Sequence, residues 1–158
     1  MKTSYFKREA RIPFTPEGHK NLLKEQADLL NERPDAVENL HKARDMGDLS
    51  ENGYYKEARA RLSFIDFRLR QLARLVKLAQ VVQNFSSDTV QIGSKVLINN
   101  GKMEIEYTIV GSFESDPQKK TISHLSPLGK ALIGKRAGEK VEVVTPGGVT
   151  IYTIIKII

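Results

Sequence analysis

Two acidic residues, Asp48 and Glu51, lie three positions apart in a short run bounded by Gly47 and Gly53. Carboxylate oxygens are the hard ligands that Mg²⁺ prefers, and this ion often takes only one or two carboxylates from a protein. Two carboxylates do not complete its coordination. A metal site at this run would therefore need further ligands from a partner molecule.

The same pair also has a purely structural interpretation at the start of a helix. Asp48 would be the N-cap, and Glu51 at the third helical position would accept a hydrogen bond from the backbone amide of Asp48. Negative charge also suits the positive end of a helix. Both interpretations stay open, and amide substitutions separate them because Asn and Gln preserve capping but remove the charge.

The composition excludes cysteine chemistry, short histidine metal motifs and membrane-spanning segments. The 158 residues contain no Cys, which removes disulfides, thiolate nucleophiles and Cys-type zinc sites. Their three histidines, His19, His41 and His124, are too scattered for a short metal motif. No apolar run is long enough to span a membrane, and the basic N-terminus lacks the apolar region of a signal peptide. We therefore expect a cytoplasmic protein with no membrane partner.

Positive charge is concentrated after the acidic pair. The chain carries a formal net charge of +6, and residues 56–77 hold seven basic residues against two acidic ones. The basic residues are Lys56, Arg59, Arg61, Arg68, Arg70, Arg74 and Lys77. Solvated helical faces are normally charged, but such an excess also attracts a phosphate backbone.

Two long helices are predicted to position these groups. Thr15 and Pro16 form an N-cap and first-turn pair that begins the first helix. Pro34 is expected to kink or locally break that helix, with Asp35 capping a restart. Gly47 is expected to end it in the left-handed conformation.

The second helix has the clearest periodicity in the chain. Apolar residues recur at alternating steps of three and four: Tyr55, Ala58, Leu62, Ile65, Leu69, Leu72, Val76 and Ala79. This spacing predicts a coiled-coil seam. Because the turn near Gly47 is short, we expect the two helices to pair antiparallel within one chain rather than between two, and therefore a monomer.

The C-terminal half has the composition of a small β-rich domain. The polar stretch Gln83–Asp88 predicts a linker, which gives domains at 1–84 and 85–158. Hairpins are indicated at Asn99-Asn100-Gly101 and Pro146-Gly147-Gly148, each between β-branched segments. Ser126 and Pro127 predict the start of a short helix that Gly134 ends. The fold class is therefore α+β.

The run Ala43–Tyr55 resembles the tip of the bacterial GreA/GreB transcript cleavage factors, whose pattern is A-R-x-x-G-D-L-x-E-N-x-x-Y. Arg33-Pro34 matches an R-P in the first helix of that family. The segments S-P-L-G-K-A-L-I-G-K at 126–135 and V-T-P-G-G at 144–148 resemble two further family motifs. The resemblance covers nearly the whole chain in order and is closer to GreA than to GreB.

The resemblance implies a coiled-coil hairpin followed by an FKBP-like domain. It further implies a factor that binds backtracked RNA polymerase and stimulates cleavage of the nascent RNA by the polymerase, without a complete active site or small-molecule substrate of its own. Asp48 and Glu51 would help to hold a second Mg²⁺ together with polymerase ligands. Ser126 and Pro127 would dock at the rim of the polymerase secondary channel.

By the same analogy, Asn52 would position a water molecule or the tip backbone. Arg44, Lys56 and Arg59 would contact the extruded RNA 3′ segment. One alternative is a Gre-like inhibitor that occupies the secondary channel without supporting cleavage, although the presence of Asp48 and Glu51 argues against it. The other alternative is a coiled coil that binds nucleic acid non-specifically.

Overall fold

The computed structural model describes residues 10–47, 53–83 and 88–158. In chain order the elements are strand β1 (Ile12–Phe14), helices α1 (Pro16–Asp45) and α2 (Gly53–Leu78), strands β2 (Ala79–Val81), β3 (Lys95–Asn99), β4 (Glu104–Val110) and β5 (Thr121–Ser123), helix α3 (Pro127–Leu132), and strands β6 (Lys140–Thr145) and β7 (Gly148–Ile157). A single 3₁₀ turn, Pro117–Lys119, precedes β5. This arrangement confirms the predicted α+β class, with a helical hairpin followed by a β-rich domain.

Two compact units make up the described chain. Residues Lys20–Leu78 form a helical unit, and the residues up to His19 join those from Ala79 onward in a β-rich unit. The predicted domain boundary between 84 and 85 lies outside the described residues and stays a prediction.

Both ends of α1 follow the expected capping chemistry. The backbone N–H of Gly18 donates a 3.0 Å hydrogen bond to Oγ1 of Thr15, so Thr15 is the N-cap. At the other end Gly47 has φ of 80°, and its N–H donates to the carbonyl oxygen of Arg44 at 3.3 Å. A left-handed glycine that satisfies a free carbonyl is a common way to end a helix.

The helical unit contains a heptad seam. On α1 the buried residues are Leu22, Leu29, Ala36 and Ala43, each seven positions after the last. Ala58, Ile65 and Leu72 are buried at the same interval on α2. Because a seven-residue repeat keeps one stripe of each helix facing its partner, this pattern is that of a coiled coil and confirms the predicted seam through Leu72.

Ion pairs between the helices establish that they are antiparallel. Glu25 pairs with Arg68, and Glu32 pairs with Arg61. A step of seven residues forward on α1 therefore corresponds to a step of seven residues back on α2. Such pairing is possible only when the two helices run in opposite directions, as the short turn at Gly47 predicted.

Two details of the predicted helices are wrong. Helix α1 continues through Pro34, so neither a local break nor a restart capped by Asp35 occurs, while the alternative of a kink at Pro34 stays a prediction. Pro34 removes one backbone hydrogen bond, but Leu29 and Ala36 on either side are buried in the seam and hold the helix together. The second helix ends at Leu78, and Ala79 begins a strand instead of extending the seam.

The β-rich unit is built on a five-stranded sheet in the order β5-β4-β3-β7-β6. Antiparallel pairing joins β3 to β4 and β6 to β7, which confirms both predicted hairpins. Helix α3 begins with Ser126 as N-cap and Pro127 in its first turn, and Gly134 follows it with φ of 78°. Ile98, Ile109 and Leu132 are completely buried in the core between the sheet and α3.

One strand pair was not predicted. Strand β1 pairs in parallel with β2, with Ile12 opposite Ala79 and Phe14 opposite Val81. Phe14 is 2% exposed, and its carbonyl oxygen accepts a 2.8 Å hydrogen bond from Val82 N–H. Three-residue strands carry too little periodicity to be identified from the sequence.

Crossing a bilayer requires a helix that is both long and apolar. Within the described ranges, no helix combines these two properties.

Candidate functional site

In the sequence, the acidic pair falls in the segment that connects the two helices. Asp48, Glu51 and Asn52 fall between Gly47 and Gly53, outside the described residues. The neighbouring elements are well defined, because α1 ends at Asp45 and the described part of α2 begins at Gly53. The predicted roles of these three residues therefore stay predictions, while their flanks are described directly.

Three exposed basic residues flank this position. Arg44 lies in the last turn of α1, and Lys56 and Arg59 lie in the first two turns of α2. Lys56 and Arg59 share one helical face because they are three residues apart. None of the three forms an ion pair with another residue in the described part of the chain. The hairpin thus carries positive charge on both helices next to the acidic run.

Lys42 differs from Arg44 although both lie in the last turn of α1. Its Nζ is 2.6 Å from Oε1 of Glu38, one helical turn earlier. Hydrogen bonding and charge attraction from Lys42 lower the pKa of the Glu38 carboxyl. The charge of Lys42 is therefore partly balanced within α1, whereas Arg44 forms no ion pair within the described part of the chain.

The basic excess of α2 is smaller than its own sequence indicated. Arg68 makes two hydrogen bonds to Glu25, from Nε to Oε1 at 2.6 Å and from Nη2 to Oε2 at 2.9 Å. Arg61 binds Glu32 on the same side of the hairpin and also lies 5.6 Å from the centre of the Phe64 ring. These acidic partners come from α1, so counting charges along α2 overestimated the free positive charge.

The predicted docking segment is a hydrogen-bonded turn at the start of α3. Oγ of Ser126 accepts a 3.0 Å hydrogen bond from Gly129 N–H and donates one of 2.7 Å to the carbonyl oxygen of Ser123. A Cβ atom on Gly129 would lie 2.1 Å from that same carbonyl, so only glycine permits this packing. The predicted cap at Ser126 and Pro127 is confirmed, while polymerase docking stays a prediction.

A complete metal site is not found among the described residues. No group of three or more His, Asp, Glu or Cys side chains is arranged to hold a metal ion within them. The acidic run between the helices remains the candidate that the sequence indicated.

Family models match both halves of the chain. Residues 85–158 match the model described as "Transcription elongation factor, GreA/GreB, C-term", and residues 12–81 match the corresponding "Transcription elongation factor, N-terminal" model. The chain belongs to the GreA/GreB family. This confirms the resemblance found in the sequence motifs.

Individual members of the GreA/GreB family are similar to this chain over nearly their full length. The transcription elongation factor GreA of Nitratiruptor sp. is 40% identical over 153 residues, covering 94% of each chain. That of Rhodospirillum rubrum is 41% identical over 149 residues, covering 91% of this chain and 95% of its own. As a member of this family, the chain is a transcription elongation factor.

Two solved structures of GreA/GreB proteins have a lower sequence identity to this chain than these relatives do. The GreA factor homolog 1 protein of Thermus thermophilus is 21% identical, with a TM-score of 0.44 and coverage of 94% of this chain and 99% of its own. The GreA/GreB elongation factor of Nitrosomonas europaea is 22% identical, with a TM-score of 0.41 and coverage of 93% and 98%.

Proposed function

We propose that this chain binds backtracked bacterial RNA polymerase and stimulates the polymerase to cleave the 3′ end of its nascent RNA. The observation that supports the proposal is a family-specific run with Asp48 and Glu51 in the segment of the sequence that connects two antiparallel helices. Helix α1 has 30 residues and is therefore about 45 Å long. Such a hairpin can carry two carboxylates into a deep channel.

The chemistry of the acidic pair fits an ion shared with the polymerase. Oxygen ligands suit Mg²⁺, and the polymerase would supply the ligands that Asp48 and Glu51 do not provide. A second Mg²⁺ held in this way would help to stabilise the attacking or leaving oxygen during hydrolysis of the RNA backbone. The chain therefore contributes two ligands and does not need a complete active site.

The basic residues and the β-rich unit have separate roles in this proposal. Arg44, Lys56 and Arg59 hold phosphates of the extruded RNA segment, because they are exposed and carry unpaired charge within the described structure. Asn52 positions a water molecule or the tip backbone. Ser126 and Pro127 anchor the β-rich unit at the rim of the secondary channel.

The test uses RNA polymerase stalled in a backtracked state with a labelled transcript. The wild-type chain should shorten the transcript. Asp48→Asn and Glu51→Gln should each reduce cleavage by at least about 10-fold, because loss of even an outer-shell partner of a metal typically costs that much. Asp28→Asn is the matched control, because Asp28 is an exposed carboxylate on α1 away from the turn. It should cleave like the wild type.

Other results separate the alternatives. Full cleavage by both amide variants would mean that the acidic pair only caps α2. Blocked RNA synthesis without transcript shortening would indicate a channel inhibitor. Binding to free nucleic acid with no effect on polymerase would indicate a non-specific coiled coil.

A further inference from the structure

Three exposed apolar side chains lie together on one face of the β6–β7 hairpin. Val144 is 72% exposed, Val149 is 63% exposed and Ile151 is 51% exposed. Val144 of β6 is directly opposite Val149 of β7, and Ile151 follows two positions later on the same side of β7. Directly paired side chains are about 5 Å apart, so the three form one continuous surface. We refer to them as the apolar cluster.

The opposite face of the same sheet packs in the core. Val141 and Val143 alternate with the exposed residues of β6 and are buried, as is Ile154 of β7. These residues share the core with Leu132 of α3. We call the face away from α3 the outer face. The solvent-covered face of such a sheet is normally polar, so the apolar cluster departs from the usual pattern.

Local structure explains only part of the apolar cluster. β-branched residues are favoured in strands, and the pairing of Val144 with Val149 supports the hairpin next to its turn. Thr has a similar preference for strands, and Thr153 already lies on the same face. Ile151 is opposite the charged Glu142 rather than an apolar residue. Hairpin stability therefore does not account for all three apolar side chains.

The charges on the outer face are balanced. The strand register places three lysines and three glutamates there, all of them exposed: Lys95, Lys140, Lys156, Glu104, Glu106 and Glu142. None of the six forms an ion pair with another residue in the described part of the chain. The whole chain has a net charge of +6, whereas these six residues sum to zero. A face with free charges of both signs in equal number is complementary to a copy of itself.

We infer that the outer face is a self-association surface, on which two copies of this chain pack sheet against sheet. Each copy would cover the apolar cluster of the other at the usual distance of about 10 Å between packed sheets. The lysines of one copy would lie near the glutamates of its partner. Nucleic acid is not the expected occupant, because this face has no excess of positive charge. Lys140 and Glu142 on the edge strand β6 also disfavour pairing edge to edge, since charged side chains protect exposed strand edges.

The size of the outer face sets the expected strength of the dimer. Four strands about 4.8 Å apart, with about six residues each at 3.3 Å per residue, give a flat area of roughly 400 Å². A standard interface buries roughly 800 Å² per partner, so this association should be weak and reversible. The helical seam takes no part, because its apolar residues are buried within one chain. The monomer expected from the sequence rested on that seam alone and should persist only at low protein concentration.

Sedimentation velocity of the full chain, from about 1 μM to about 1 mM protein, measures this association. The wild type should shift from monomer towards dimer as its concentration rises. Val149→Thr with Ile151→Thr should weaken dimerisation about tenfold or more, because Thr keeps the strand preference and removes apolar surface. Glu142→Lys and Lys140→Glu should each weaken it as well, since two identical faces of net charge +2 or −2 repel each other.

A mixture of the two charge variants gives the sharpest measurement. A face of net charge +2 attracts one of −2, so Glu142→Lys and Lys140→Glu together should associate at least as strongly as the wild type. Lys130→Glu is the matched control, because it changes the net charge of the chain by the same amount as Lys140→Glu. Lys130 is exposed on α3, on the other side of the sheet, and this variant should dimerise like the wild type.

Three results would overturn the inference. The first is a wild-type chain that stays monomeric throughout this concentration range. The second is a dimer that none of the outer-face variants weakens, since association would then use another surface. In the third, the variants weaken binding to core RNA polymerase and leave dimerisation unchanged, which would assign the outer face to the polymerase. The charge variants provide the same readouts if the double Thr variant does not fold, because Lys140 and Glu142 are exposed.

Discussion

The backbone N–H of Thr15 donates a 2.9 Å hydrogen bond to Oε1 of Glu114, a residue 99 positions later in the chain. Oγ1 of Thr15 also donates to Oε2 of the same carboxylate, and Gly111 N–H donates to Oε1. Glu114 thereby ties the N-cap of α1 to the turn that follows β4. Thr15 and Glu114 both belong to the β-rich unit, so this contact lies entirely within that unit.

Replacing Glu114 with Ala should destabilise the β-rich unit by about 1–3 kcal/mol, because the backbone amides of Thr15 and Gly111 would have no acceptor. Glu114→Gln should destabilise it less, since its amide oxygen can still accept one bond. Urea unfolding followed by circular dichroism measures the difference. Glu104→Ala, at an exposed position on β4, serves as the control, and equal stability of the two Ala variants would contradict the prediction.

Two glycines near the helix starts should respond in opposite directions to replacement by Ala. Gly53→Ala should stabilise α2 by about 0.5–1 kcal/mol, because Ala is the better helix former and a Cβ there meets nothing within 4 Å. Gly18→Ala should destabilise the β-rich unit. The new Cβ would lie 1.7 Å from Oε2 of Glu114 and displace that carboxylate from Thr15. Thermal unfolding of the two variants tests both signs, and stabilisation by Gly18→Ala would show that the Glu114 contact contributes little.

The heptad seam should carry most of the stability of the helical unit. Ile65→Ala and Leu72→Ala should each lower the free energy of unfolding by about 2–5 kcal/mol, because both side chains are completely buried. Leu30→Ala is the control at a position that is 54% exposed, and it should cost much less. Denaturant unfolding of the full chain gives these values. Similar destabilisation at Leu30 and Leu72 would contradict the assignment of the seam.

The ion pair between Arg33 and Asp66 should make the hairpin sensitive to acid. Hydrogen bonding from Arg33, with charge attraction, lowers the pKa of Asp66 below its usual value. A lowered pKa in the folded state contributes stability above the unfolded-state pKa, and this contribution is lost as the pH falls through the folded-state value. The difference in melting temperature between the wild type and Asp66→Asn should therefore be largest near neutral pH and should shrink below about pH 4. A difference that grew on acidification would refute this origin.

The exposed basic residues beside the acidic run should control the salt dependence of polymerase engagement. Replacing Arg44, Lys56 or Arg59 with Gln should weaken binding to the backtracked complex. For each phosphate that a variant no longer neutralises, the slope of log affinity against log salt should become shallower by about 0.7. Arg74→Gln, an exposed position farther along α2, should leave the slope unchanged. An equal effect at Arg74 would indicate general charge attraction rather than binding at the turn.

The sequence by itself determined the features that depend on near neighbours. The seven-residue seam, the N-caps at Thr15 and Ser126, and the left-handed Gly47 follow from the residue types within one or two turns. The antiparallel pairing of the two helices follows too, because a short turn leaves no other arrangement within one chain. The acidic run at 48–51 was recognisable for the same reason, since its motif is contiguous.

Tertiary structure decided the features whose partners are distant in the chain. Helix α1 continues through Pro34 because packing on both sides of it outweighs one missing hydrogen bond. Two basic residues of α2, Arg61 and Arg68, pair with Glu32 and Glu25 of α1, and Glu114 reaches Thr15 across 99 positions. Such partners are chosen only when the folded backbone brings them within hydrogen-bonding distance, so local sequence patterns carry no record of them.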